Sequence, residues 1–88
     1  MRIAFFGLPL AALLLHRDGH EIVYAAICRD GAAGTRRLRR RLGDERVVVK
    51  PRVETRKLQR HLEALSPDLI VSWFWTTKLP SPLIATAR

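Results

Sequence analysis

The sequence contains no asparagine and only one cysteine, Cys28. A single cysteine excludes an intrachain disulfide and a thiolate zinc cluster, and it favours a reducing compartment, so we expect a cytoplasmic protein. The apolar stretch at residues 3–15 is too short to span a membrane, and Gly7 and Pro9 interrupt it. The charged residues that follow it are not typical of a signal peptide. We therefore expect no association with a membrane.

Acidic residues are scarce, with 8 Asp and Glu against 16 Lys and Arg and a formal net charge of +8. Five of the basic residues form one cluster: Arg36, Arg37, Arg39, Arg40 and Arg41. A local cationic patch of this kind attracts nucleic acid, anionic lipid or a phosphorylated ligand. The hydrophobic and charged fractions, 48% and 27%, are ordinary for a globular chain, so residues 1–88 are expected to form a single domain with one modest core.

Strand-like and helix-like segments alternate along the chain. Apolar and β-branched runs predict strands at residues 2–6, 21–27, 47–49 and 68–75. Leucine spacing and flanking Pro or Gly predict helices at residues 9–18, 54–66 and 80–87, and Thr35 is expected to cap another at 36–42. This order predicts an α/β fold, a Rossmann-like three-layer half-domain with about four parallel strands and crossover helices. A poorly covered edge strand would indicate a fragment, or a chain that needs a partner.

Two glycine motifs that bind nucleotides are missing. After the first predicted strand the chain reads Gly7-Leu8-Pro9 and has no further glycine before Gly19, so the G-x-G-x-x-G pattern is absent. No Gly-Lys-Ser or Gly-Lys-Thr sequence occurs, which excludes a phosphate-binding P-loop. The fold is therefore not expected to bind NAD, FAD or a nucleoside triphosphate in the usual way.

Four segments, in the correct order, resemble the N-terminal part of the formyltransferase family, which includes methionyl-tRNA formyltransferase. They are MRIAFFGLP at residues 1–9, DGHEI at 18–22, RDGAAG at 29–34 and SPDLIVSWFWTTKLP at 66–80. The family uses 10-formyltetrahydrofolate as donor on a Rossmann-like domain and formylates a primary amine. The resemblance leaves the acceptor open between methionyl-tRNA and an amino sugar.

The resemblance implies a folate pocket after the fourth strand. The family's loop that lines the pteridine ring matches Trp75, Thr76, Thr77, Lys78 and Leu79, and the resemblance places Gly7, Leu8 and Pro9 in a neighbouring wall. Strand alternation places Trp73 and Trp75 on the same side. Core packing is favoured for Trp73, whereas core packing and ring binding remain alternatives for Trp75.

Family members that act on tRNA carry a basic loop after the second strand, and the arginine cluster falls in the corresponding region. It differs from the family because it is predicted to be helical and lacks a lysine-rich tract. Arginines bind phosphates bidentately and release counterions from nucleic acid. A solvated helix face without a ligand is the alternative interpretation.

The resemblance also implies that these residues alone are inactive. Formyl transfer in the family uses an Asn and a His beyond the next strand and a later Asp, and this chain has no asparagine. His16, His20 and His61 lack a credible catalytic partner, so we assign no catalytic residue and no metal site. The interpretation is an N-terminal half of a formyltransferase-like protein, truncated before its catalytic segment. The alternative is a non-catalytic module that binds nucleic acid or another polyanion through the arginine cluster.

Overall fold

The first apolar run forms strand β1 (Arg2–Gly7), followed along the chain by β2 (Glu21–Ile27), β3 (Val47–Val49) and β4 (Leu69–Trp73). The computed structural model describes residues 1–51, 53, 55–73, 75, 79 and 81–87. All strand pairs are parallel, and the order across the sheet is β3-β2-β1-β4. The predicted α/β fold with a four-stranded parallel sheet is confirmed.

Helices cover both faces of this sheet. They are α1 (Pro9–Arg17), α2 (Thr35–Leu42), α3 (Arg56–Leu65) and α4 (Ser81–Ile84), with a 3-10 turn at Asp44–Arg46. On one face, α1 and α2 pack against Ile3 and Phe5, whereas α3 and α4 pack against Ala4 and Phe6 on the other. Successive residues of β1 therefore serve opposite cores, as strand geometry requires. Within the described residues, no helix is both long and apolar enough to cross a membrane.

The ends of α1 and α3 follow local chemistry. α1 begins at Pro9, whose fixed φ suits a first turn, and it ends at Arg17. α3 begins at Arg56 because the Thr55 side chain accepts a hydrogen bond of 3.4 Å from the Leu58 backbone N–H. The predicted start at residue 54 lies outside the described residues. The predicted apolar face of α3 is confirmed, since Leu58 and Leu62 are buried.

The prediction that Thr35 caps α2 is wrong. Gly34 occupies the N-cap position with φ 93°, and no side chain caps the helix. Thr35 is already in the first turn, and its hydroxyl donates to the Ala32 carbonyl at 2.7 Å. The left-handed glycine turns the chain into the helix one residue earlier than the sequence predicts.

Strand β4 is shorter than predicted and lies at an edge of the sheet. It ends at Trp73, so Trp75 lies beyond the strand and the predicted alternation does not relate the two side chains. Leu69 is 43% exposed and Trp73 is 54% exposed. The favoured core packing of Trp73 is therefore wrong, because the helices cover the edge strand only in part. Among the described strands, β4 pairs with β1 alone, as expected for a poorly covered edge.

Candidate functional site

Three of the four segments that carry the family resemblance leave the sheet at its carboxyl edge. Gly7 at the end of β1 is in register with Ile27 of β2 and Trp73 of β4. The Leu8 N–H donates to the Trp73 carbonyl at 3.3 Å, and the Cys28 N–H donates to the Gly7 carbonyl at 3.1 Å. The backbone thus brings together the residues after β1, the loop at 28–34 and the start of the chain that follows β4.

The segment at the end of β1, from Gly7 to Pro9, has little exposed side-chain surface. Gly7 is buried, and a Cβ at this position would lie 1.8 Å from the Trp73 carbonyl oxygen. Pro9 is also buried, in the first turn of α1, whereas Leu8 is half-buried. Of these three residues, only Leu8 has a side chain that is not fully buried.

Trp75 packs against the buried cluster below α3 and α4. Its ring meets that of Phe6 edge-on, with centroids 5.5 Å apart and planes at 80°. Leu79 is buried in the same cluster. The indole Nε1 of Trp75 is buried and has no hydrogen-bond partner among the described residues. The predicted site residues Thr76, Thr77 and Lys78 lie outside the described residues.

The arginine cluster forms a cationic surface on α2, which we call the arginine surface. Its members are Arg36, Arg37, Arg39, Arg40 and Arg41, all exposed except Arg39, which is half-buried. Leu38 is fully buried among the apolar residues of β1 and β2 and anchors the helix. Leu38 therefore marks the buried face of α2, and the exposed arginines lie on the rest of the helix surface.

The positive charges of α2 destabilise the helix that carries them. Its first turn contains no acidic residue, so Arg36 and Arg37 lie at the positive end of the helix dipole. Arg40 and Arg41 lie one turn further on, and like charges at this spacing repel each other. In the part of the chain that the structure describes, both ion pairs use Glu21, with Arg2 and Arg46 as partners. The arginine surface therefore has no carboxylate partner there.

A groove of about 630 Å³ runs between α1 and α2, and we call it the α1–α2 groove. Leu10, Leu13 and Leu14 contribute its apolar residues, and Arg17, Arg37 and Arg41 contribute its charges. The sequence interpretation missed this groove. Leucine or alanine at every position from residue 10 to residue 15 is the signal, because a helix that is apolar on all sides cannot bury them all against one sheet.

The histidines form no metal centre in the described structure. α1 ends at Arg17, so His16 and His20 do not share a helix. No group of three His, Cys, Asp or Glu side chains among the described residues is placed to hold a metal ion. His61 is exposed, and its ring lies edge-on to that of Tyr24 at 5.7 Å between centroids. Burial raises the pKa of Tyr24 to about 12.

The architecture alone does not identify an activity, because parallel α/β sheets carry many unrelated functions. The candidate sites are therefore the carboxyl edge with Trp75 and the arginine surface with its adjoining groove. No protein-family model matches the chain, and no curated protein matches it at a significant level.

Proposed function

We propose that the chain is the N-terminal, donor-side half of a formyltransferase-like protein that uses 10-formyltetrahydrofolate. The proposal rests on one observation: three of the segments that resemble the formyltransferase family leave the sheet at the same edge. They depart from Gly7, from the end of β2 and from Trp73, which are lateral neighbours. Ligands of open parallel sheets bind outside the carboxyl ends of the strands, which is the edge from which these segments depart.

A flat heterocycle with polar groups on its rim is the ligand that we expect beside Trp75, the partly exposed aromatic residue that follows β4. Phe6, Trp75 and Leu79 belong to one apolar cluster, and Trp75 is half-buried at its margin. The Trp75 Nε1–H is a hydrogen-bond donor without a described acceptor. Leaving such a donor buried and unpaired costs about 1–3 kcal/mol. In the proposed complex, a carbonyl or ring nitrogen of the pterin would supply this acceptor.

When bound, the donor would supply a formyl carbon. A primary amine would form a bond to that carbon while its bond to N10 breaks, and tetrahydrofolate would leave with a proton from the amine. We expect this chain to hold the donor through Trp75, the residues that follow it, and Leu8. Groups that stabilise the developing oxyanion are required for transfer, and the family's Asn for this role has no counterpart in this sequence. We therefore expect donor binding without formyl transfer by these residues. Methionyl-tRNA and an amino sugar are both suitable acceptors for a complete protein.

Calorimetric titration with 5-formyltetrahydrofolate, a stable analogue of the donor, tests this proposal. We expect binding by the chain and a loss of at least tenfold in affinity in Trp75→Ala. The matched control is Trp73→Ala, because Trp73 is 54% exposed. The affinity of this variant for 5-formyltetrahydrofolate should stay within about threefold of that of the unmodified chain. Absence of binding, or an equal loss in both variants, would overturn the proposal.

A second function is favoured by the arginine surface, namely binding of nucleic acid or another polyanion. Four of its five arginines are exposed, and none has a carboxylate partner among the described residues. The mutual repulsion of these arginines destabilises the helix. An anionic ligand bound to them would reduce that repulsion and stabilise the folded chain.

The salt dependence of RNA binding tests this second function. We expect a fluorescent single-stranded RNA to bind with a negative slope of log K against log salt, and the magnitude of that slope should decrease by roughly 0.7 for each arginine changed to glutamine. The control changes Arg56, Lys57 and Arg60 of α3 to glutamine, since these exposed cations lie on a different helix. The same reduction per charge in the α3 variant would show that binding follows net charge and would contradict a role for the arginine surface.

A further inference from the structure

Two rows of side chains line the α1–α2 groove. Leu10 and Leu14 lie one turn apart on α1, and Arg37 and Arg41 lie one turn apart on α2. Both helices connect parallel strands and pack on the same face of the sheet, so they run side by side in the same general direction. The α1–α2 groove therefore has an apolar row on α1, which ends at His16 and Arg17, and a cationic row on α2.

The apolar row is largely open. Leu10 is 54% exposed and Leu14 is 62% exposed, although α1 lies on the sheet between β1 and β2 in the chain. Isolated exposed leucines are common, but these two are aligned at helical spacing beside a groove. The residues of α1 that line the groove run from Leu10 to Arg17, a rise of about 11 Å, which matches about two turns of another helix.

We propose that the α1–α2 groove binds an acidic amphipathic helix of a partner protein. Leucine-like residues of that helix, spaced one turn apart, would contact Leu10 and Leu14. Glutamate or aspartate residues on its neighbouring flank would pair with Arg37 and Arg41, whose guanidinium groups can bind carboxylates bidentately. This function is additional to donor binding and does not depend on it, since the carboxyl edge and the groove involve different residues.

Charge and shape favour this occupant over others. A second copy of the chain also carries a net charge of +8 and has no acidic helix among those described, so it lacks complementary charge. A phosphodiester backbone would satisfy the arginines and leave the leucine row uncovered. A bilayer is flat, whereas the leucines lie beside a channel between two helices. An acidic amphipathic helix covers both rows at once.

Fluorescence anisotropy with a labelled synthetic peptide tests the proposal. The peptide has 14 residues, leucines at i, i+4, i+7 and i+11, and glutamates along one flank. A second peptide carries the same residues with the glutamates moved to the opposite flank. We expect the first peptide to bind at least tenfold more tightly than the second, since only the first places carboxylates beside the arginine row.

Charge reversal identifies the row that is used. We expect the Arg37→Glu, Arg41→Glu double variant to lose at least tenfold in affinity and to regain it with a peptide that carries arginine in place of glutamate. The matched control is Arg56→Glu, Arg60→Glu, which places the same change at the same spacing on α3. Its affinity for the first peptide should stay within about threefold of that of the unmodified chain. Equal losses in the two double variants would overturn the proposal.

The leucine row needs its own variant, because charge alone attracts any anion. Leu14→Gln leaves every charge in place, and because Leu14 is 62% exposed, the substitution leaves the buried core unchanged. We expect at least a fivefold loss with the first peptide and unchanged binding of single-stranded RNA. Two outcomes would overturn the assignment to a helical partner. One is that Leu14→Gln weakens binding of RNA or of phosphatidylglycerol vesicles as much as it weakens binding of the peptide. The other is that it leaves binding of the peptide unchanged.

Discussion

A Cβ added to Gly7 would lie 1.8 Å from the carbonyl oxygen of Trp73, across the pair of strands β1 and β4. Backbone cannot yield as a flexible side chain does, and Gly7 has φ 153°, which disfavours other residues. We therefore expect Gly7→Ala to lower the free energy of unfolding by about 3 kcal/mol, measured by urea denaturation. Gly31→Ala is the control: its Cβ would meet nothing within 4 Å, so a loss as large as that of Gly7→Ala would contradict the steric explanation.

Helix α2 should become more stable when its first arginine is replaced by an acid. Arg36→Glu removes a cation from the positive end of the helix dipole and places a glutamate one turn before Arg40. We expect a gain of about 0.5–1 kcal/mol in the free energy of unfolding at low salt. Arg41→Glu, at the other end of the helix, should give a smaller gain or a loss. Equal effects at the two ends would show that net charge, and not position in the helix, sets the stability.

The parallel α/β fold was accessible from the sequence because each element carries a local pattern. Strand β2 occupies the predicted residues, and the leucines at 58 and 62 correctly indicate the buried face of α3. The lateral order β3-β2-β1-β4 could not be predicted in this way, because local patterns specify helices and strands but not which strands lie side by side. The convergence of Gly7, Ile27 and Trp73 at one edge depends on that order.

Trp73 and the α1–α2 groove show where sequence patterns stop being sufficient. Alternation along a strand gives the side on which Trp73 points and does not show whether a helix covers that side. The exposure of Leu10 and Leu14 likewise depends on how α1 meets α2. The arginine cluster was visible in the sequence because five cations within six residues need no tertiary information to be recognised.

Fluorescence quenching should separate the two tryptophans. Trp75→Phe leaves only Trp73, which is 54% exposed, whereas Trp73→Phe leaves only Trp75, which packs against Phe6. We expect acrylamide to quench Trp75→Phe more steeply and its emission to lie at longer wavelength. Urea-unfolded samples of both variants serve as the control and should be quenched alike. Equal quenching in the folded proteins would contradict the difference in burial.

Tyr24 should make the protein less stable at alkaline pH. Burial raises its pKa in the folded chain from 10.0 to about 12, and the residue is 2% exposed. The unfolded chain therefore loses the phenol proton first, so stability present below pH 10 is lost as the pH rises towards 12. We expect this group to remove about 1.4 kcal/mol from the free energy of unfolding by pH 11. Urea titrations at pH 9 and pH 11 measure this loss of stability. The reference is Tyr24→Phe, which keeps the aromatic ring and removes the ionisable hydroxyl. Because lysines also titrate in this range, the difference between the two proteins isolates Tyr24, and equal pH dependence would mean that its hydroxyl is solvated in the folded state.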